Sequence, residues 1–175
     1  MRLPTTLLQQ TFNSPLGPII LVASEQALVG AWFDDQAHLP PQLSGHSVWH
    51  CAPEQPVLCH ASRQLKDYFD GHRKVFELPL DLGFGTAFAQ LVWQALLQIP
   101  FGQTCCYADV AKAIGKPSAV RAVGAAVGRN PLSVIVPCHR VLGADGSLTG
   151  YAGGLERKTR LLQFEGGQNP QETWL

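Results

Sequence analysis

The sequence predicts an α/β protein in two parts. A small N-terminal α/β domain with a three-stranded antiparallel sheet is expected over residues 1–83, and a mainly helical, winged-helix-like domain with a helix-turn-helix over residues 84–175. Two observations predict it: short apolar runs broken by turn residues crowd the first 33 positions, and apolar residues at intervals of three and four dominate after DLGFGT (81–86). In residues 11–33, runs around Phe12, 19–23 and 27–33 are separated by SPLGP and SEQ, which reads as strand, turn, strand, turn, strand. Residues 34–56, rich in Pro, Gly, His and Ser, form a long connection. Leu58, Leu65 and Phe69 then place a helix ending before Gly71, and residues 74–82 return a strand.

Thr86 N-caps the next helix, in which Phe88, Leu91, Val92, Ala95, Leu96 and Ile99 share one face. The PFG at 100–102 stops it. A second short helix over 107–114 ends at Gly115. Pro117 cannot sit in a helix interior, so Ser118 is read as the N-cap of a third helix over 119–128. Helix, short turn, helix with basic residues on the second fits a helix-turn-helix, and equally two helices that merely pack. The third helix, AVRAVGAAVG, carries almost no large side chains; it suits either close packing in a core or close approach to a nucleic-acid groove with Arg121 reaching in. A last helix starts at Leu155 and stops at Gly166 and Gly167.

At 175 residues and 46% hydrophobic the chain can bury a core. Its start lacks the apolar stretch of a secretory signal, and no run approaches the roughly 20 apolar residues of a membrane span, so a cytoplasmic protein with no membrane partner is expected. Five cysteines without regular spacing predict reduced thiols. The net charge of zero hides an asymmetry. Residues 1–83 hold five Lys/Arg against eight Asp/Glu, a balance of −3, whereas residues 84–165 hold eight against four, a balance of +4. A basic second half is compatible with one DNA-binding face, and also with chance variation over a solvated surface.

Chemistry concentrates in NPLSVIVPCHRVLG, where Cys138 and His139 follow an apolar stretch and Pro137. The thiolate is the reactive form of cysteine, and a nearby imidazole lowers the cost of making it. Adjacent residues on an extended chain point apart, so a Cys/His contact requires a bend or a bridging water. The alternative is a buried cysteine beside a structural histidine. Glu165 lies at the end of the last helix, where the macrodipole disfavours an anion. Either it is simply solvated, or it has a compensating partner, for which His139 is suited: a carboxylate would fix its tautomer and stabilise its positive form.

PCHRV at 137–141, RAVGAAVGRNP at 121–131, TGYAGGLERKTRLL at 149–162 and FEG at 164–166 together closely resemble the O6-alkylguanine-DNA alkyltransferases, of the stand-alone bacterial type. The resemblance implies direct repair of O6-alkylguanine, and of O4-alkylthymine, by irreversible transfer of the alkyl group to Cys138 after base flipping. It implies His139 as the activating base acting through a water, Glu165 as its orienting carboxylate and Tyr107 as proton donor to the departing guanine. Arg121 resembles the finger that fills the gap left by the flipped nucleotide, on a minor-groove face with Ala119, Ala122, Gly124, Ala125, Arg129 and Tyr107. Asn130 resembles the hinge before the active-site loop, and Pro137, Val141, Tyr151, Ala152 and Gly153 the pocket lining. Ala152 stands where several members carry serine, so any donor to the lesion oxygen there is the backbone amide.

The expected partner is double-stranded DNA bearing O6-alkylguanine, the expected protein is a monomer, and no cofactor or metal is expected. The pairs His50/Cys51 and Cys59/His60 invite a zinc reading but match no common ligand spacing, and Cys105 and Cys106 are read as structural. Two other functions compete: a non-catalytic alkylguanine-binding sensor, disfavoured by Cys138, and a multiple-turnover thiol hydrolase, for which nothing suggests an oxyanion hole.

Overall fold

The computed structural model describes Leu3, residues 6–43 and residues 49–166; Gly167, expected to help stop the last helix, lies outside the described residues. Two compact units form: Met1–Phe84 with Pro131–Ile135, and Gly85–Asn130 with Val136–Leu175.

In the first unit β1 (Leu8–Ser14), β2 (Gly17–Ala23) and β3 (Leu28–Phe33) make the expected antiparallel meander. Ser14 Oγ accepts from Leu16 N and donates to Gly17 O, closing the first turn; Ser24 Oγ accepts from Gln26 N and Ala27 N in the second. Every residue of β3 is buried, and Gly30 must lack a side chain because a Cβ there would fall 1.8 Å from the Trp32 ring. The sheet has a fourth strand that the sequence reading assigned to the long connection: β4 (His50–Cys51) pairs parallel to β1, giving the order β3-β2-β1-β4. Two residues are too few to show a period.

Helix α1 (Pro56–Phe69) packs against β1, β2 and β3. Gln55 caps it by accepting from Leu58 N at 2.7 Å, with proline at the first turn, where its missing N–H costs nothing. The strand expected over 74–82 does not form. This stretch makes only a single parallel bridge, Leu28 with Leu80, held by Leu28 N to Pro79 O and Asp81 N to Leu28 O. Pro79 has no N–H to extend a ladder. Pro131–Ile135 belongs to this unit because Pro131 O accepts from Ala31 N, Ser133 N donates to Ala31 O, and Ser133 Oγ donates to Gln36 Oε1. These bonds hold Val134 at φ 72, a left-handed conformation strained for a β-branched residue.

In the second unit α2 (Ala87–Leu96) is capped by Thr86, as expected, whose side chain accepts from Ala89 N. It packs with α3 (Tyr107–Ala113) and α4 (Val120–Gly128), and Trp93 Nε1 ties α2 to α4 through Ala126 O at 2.9 Å. Ser118 does not cap α4: it lies in the preceding turn, and Ala119 takes the N-cap position without a side-chain bond. Cys106 occupies the N-cap of α3, where Asp109 reaches back to accept from its N–H (2.9 Å) and S–H (3.0 Å). The two-residue strands β5 (Cys105–Cys106) and β6 (Val141–Leu142) pair in parallel. Helix α5 (Leu155–Phe164) ends at Glu165, and Gly166 at φ 70 supplies the left-handed stop. Among the described residues no helix is long and apolar enough to cross a membrane.

Candidate active site

Cys138, His139 and Arg140 form a single 3-10 turn between Pro137 and β6, with Cys138 N bonded to Val136 O, Arg140 N to Pro137 O and Val141 N to Cys138 O. This turn is the bend that lets neighbouring side chains leave the backbone in non-opposed directions. Pro137, Cys138, His139, Arg140 and Val141 are all buried.

Asn130, just beyond the end of α4, clasps the turn: its Nδ2 donates to Val136 O at 2.8 Å and to Cys138 Sγ at 3.0 Å. That contact favours the thiolate, as does the positive charge of Lys158, yet burial outweighs both and pushes the Cys138 thiol up to about 11. In the free protein the sulfur is therefore a thiol at neutral pH. Burial is thus the dominant influence on this sulfur, a cost that any activating neighbour has to offset.

His139 is fully buried, and its Nε2 bonds Glu165 Oε1 at 3.0 Å. Its Nδ1 has no protein hydrogen-bond partner among the described residues. Glu165 does not serve the histidine alone. Arg140 donates through Nε to Oε2 and through Nη2 to Oε1, both at 2.8 Å, and Gly102 N approaches Oε2 at 3.3 Å. Burial, first, and the Arg140 and Lys158 charges lower the His139 pKa against the raising effect of Glu165. Glu165 does favour a positive imidazole, as expected, but burial outweighs it, and His139 is neutral at neutral pH.

Lys158 has no accessible surface: its Nζ donates to Val141 O at 2.5 Å and Thr149 O at 2.7 Å, and burial pulls its pKa down to about 8. Tyr107, first residue of α3, donates its hydroxyl over long distances to Thr149 O (3.3 Å) and Gly150 O (3.4 Å). Burial raises its pKa, and the Cys138 sulfur adds to the rise, which places phenol and thiol within reach of one another's charge. Tyr151 and Ala152 are half-buried and Gly153 is buried, in the loop that leads to α5.

Helix α4 has one buried and one exposed face. Val123, Ala126 and Val127 are buried, whereas Arg121, Ala122, Ala125 and Arg129 are exposed and Ala119 is half-buried. Gly124 departs from that exposed set: it is half-buried, and a Cβ there would meet the Tyr107 ring at 3.8 Å, an ordinary contact.

Family models match both parts of the chain: residues 7–82 match the 6-O-methylguanine DNA methyltransferase, ribonuclease-like domain, and residues 87–167 the DNA binding domain of the same name. The chain belongs to the 6-O-methylguanine DNA methyltransferase family. A methylated-DNA–protein-cysteine methyltransferase of Mycobacterium leprae is 46% identical over 156 residues, covering 89% of this chain and 90% of that one. The constitutive enzyme of Bacillus subtilis is 44% identical, covering 89% and 93%. The crystal structure of the Mycobacterium tuberculosis O6-methylguanine methyltransferase superposes with a TM-score of 0.81 at 43% identity, covering 91% and 92%. That of Mycobacterium tuberculosis OGT in complex with DNA gives 0.81 at 43%, covering 90% and 91%.

Sequence reasoning missed Arg140 and Lys158, counting both only as basic residues of the second half. Lys158 left a signal: it falls in phase with Leu161 and Leu162, the buried positions of α5, so a charge stood where an apolar residue was due. With both buried, six basic residues (Lys112, Lys116, Arg121, Arg129, Arg157, Arg160) stand against three acidic ones (Asp109, Asp145, Glu156) on the rest of residues 84–165. In the first unit Cys59 Sγ donates to Pro53 O and His60 bonds Gln64, so these members of the two Cys/His pairs have protein partners.

Proposed function

We propose that this chain repairs DNA by moving the alkyl group of O6-alkylguanine, and of O4-alkylthymine, onto Cys138 Sγ, once per molecule. The observation that carries the reading is a buried thiol, contacted by Asn130, on a turn whose next residue is an imidazole already oriented by a buried carboxylate. With His139 Nε2–H donating to Glu165, Nδ1 holds the lone pair and accepts the thiol proton through a water. The sulfur attacks the alkyl carbon, the bond from carbon to guanine O6 breaks, and its electron pair leaves with the purine. Tyr107 gives the purine a proton and is itself reprotonated, through solvent, by the proton that His139 took. A thioether remains, which no group of the site can reverse.

Residues 84–175 act as the DNA-binding and alkyl-transfer domain in this reading. The exposed face of α4 enters the minor groove of double-stranded DNA, its alanines allowing close approach, Arg129 meeting phosphate and Arg121 filling the space of the flipped nucleotide. The surplus of exposed basic over acidic residues supports attraction to phosphate. Pro137, Val141, Tyr151, Ala152 and Gly153 line the base pocket. All five cysteines are free, which suits a monomer working in the reducing cytoplasm.

Incubation with a duplex carrying O6-methylguanine, followed by intact mass and peptide mapping, tests the proposal. The expected result is one methyl on Cys138 and one lesion removed per protein. DNA bound with unchanged mass would instead identify a sensor, and product growing with time beyond one per chain a hydrolytic enzyme.

A further inference from the structure

Glu165 terminates α5, the end of a helix least suited to an anion, so its charge must be compensated by side chains. Among the described residues, His139 Nε2 and Arg140 Nη2 meet Oε1, and Arg140 Nε and Gly102 N meet Oε2. Of these groups, Arg140 touches both oxygens. Its remaining Nη1 donates to Ile99 O at 2.5 Å and its guanidinium lies 5.9 Å from the Phe101 ring centroid, so the fork is fixed on three sides. The Arg140 and Glu165 side chains are 8% and 0% exposed, which makes this a desolvated, bidentate ion pair.

A carboxylate left alone with a buried imidazole would draw a proton onto it, and an imidazolium cannot accept another. We propose that Arg140 is a positioning residue that, by holding both oxygens of Glu165, neutralises the carboxylate and leaves His139 as a neutral, proton-accepting base. This rests on the reading of His139 as the base of the transfer. Among the described residues the charged groups facing the imidazole are Glu165 and Lys158 from the end and body of α5, Arg140 from its own turn, and the neighbouring Cys138 when ionised; burial is the largest influence against a positive imidazole, and the Arg140 and Lys158 charges add to it against Glu165. The lowered pKa of His139, to which Arg140 contributes, agrees.

The test is a titration of the His139 imidazole by NMR in the full-length protein, with His139→Asn assigning the resonance. Arg140→Gln removes the charge and should raise the His139 midpoint by about one unit or more, whereas Arg140→Lys, which keeps the charge but loses the fork, should raise it by less. The acid limb of alkyl transfer should move up in Arg140→Gln with that midpoint, and the rate recover above it. An unmoved midpoint in Arg140→Gln, or equal movement in both variants, would overturn the proposal in favour of a purely structural arginine. Should Arg140→Gln fail to fold, Glu165→Gln replaces it: with Arg140 and Lys158 unopposed, the His139 midpoint should fall below the parent, and one at or above it would overturn the proposal. The titration reads the imidazole without any transfer, so unchanged protein mass with methylated DNA sinks the functional reading and leaves this measurement standing.

Discussion

Replacing Asn130 by alanine removes one side-chain nitrogen that does two things, and the structure separates their magnitudes. The bond to Val136 O is structural, and that carbonyl keeps a second donor, Cys138 N at 2.8 Å. The stability loss should therefore sit at the low end of a buried hydrogen-bond deletion, about 1 kcal/mol. The bond to Cys138 Sγ at 3.0 Å strengthens as the sulfur becomes an anion, and hydrogen bonds to charged groups contribute about 1.5–3 kcal/mol. Losing it should push the thiol further above its value of about 11 and slow transfer roughly 10- to 150-fold at neutral pH. Single-turnover transfer from free O6-methylguanine, followed by protein mass, reads this step without DNA binding; ultraviolet thiolate absorbance against Cys138→Ala reads the ionisation. Asn130→Asp, which keeps the shape but sets a carboxylate beside the sulfur, should be slower still. A parental rate and parental ionisation in Asn130→Ala, with the fold intact, would refute the claim that this donor stabilises the reacting sulfur.

Tyr107→Phe should slow transfer on the order of 100-fold or more while leaving denaturant stability within about 0.5 kcal/mol, because the hydroxyl's bonds at 3.3 and 3.4 Å are long and the ring stays; a large stability loss would make the tyrosine structural. Arg121→Ala should weaken repair of duplex DNA more than reaction with free O6-methylguanine, and equal loss on both substrates would remove its assigned role in base flipping. Lys158 titrates at about 8 in the folded protein against an ordinary 10.5, so its charged form is the one that folding disfavours. Between pH 8 and 10.5 the unfolded chain binds more protons at this site, and folding stability contributed by Lys158 rises with pH, by on the order of 3 kcal/mol across the window. Denaturant unfolding of Cys138→Ala, which removes the opposing thiol titration, compared with the Cys138→Ala, Lys158→Met double variant isolates this slope; parallel curves would refute it.

What the sequence disclosed follows from which signals are local. The meander announces itself through apolar runs separated by SPLGP and SEQ, and α2 through six periodic apolar positions and a threonine cap, because each is written in contiguous residues. Strand β4 and the bridge at Leu80 depend on pairing with distant residues, Leu8 and Leu28, and carry no period of their own. Ser118 lost the cap to Ala119 because the turn after Pro117 runs one residue longer than propensity alone implies. At the candidate site, the chemical identities of Cys138, His139, Glu165 and Tyr107 were legible, whereas their ionisation states were not. Burial decides those: it outweighs the groups that favour the thiolate at Cys138 and the raising effect of Glu165 at His139. Arg140 was hidden for the same reason: a lone basic residue looks like surface charge until the carboxylate it serves is seen 25 positions away.

The protonated thiol bears directly on a protein that reacts once. A thiolate exposed in the resting state would be spent on any passing electrophile or oxidant, and each such event would remove a molecule from service. With Cys138 4% exposed and near 11, ionisation at neutral pH costs on the order of 5 kcal/mol, so the free thiolate is a rare species. Asn130 and the charge of Lys158 each lower that cost in part, and both act on the sulfur from fixed positions. In the proposed mechanism the proton leaves efficiently only when an alkyl carbon is held against the sulfur and His139 serves as its base. A small neutral alkylating reagent should accordingly modify Cys51 and Cys59, both exposed, well before Cys138. Peptide mapping after limited treatment checks the order; Cys138 reacting first in the free protein would mean that its sulfur is already ionised, and that burial does not guard it.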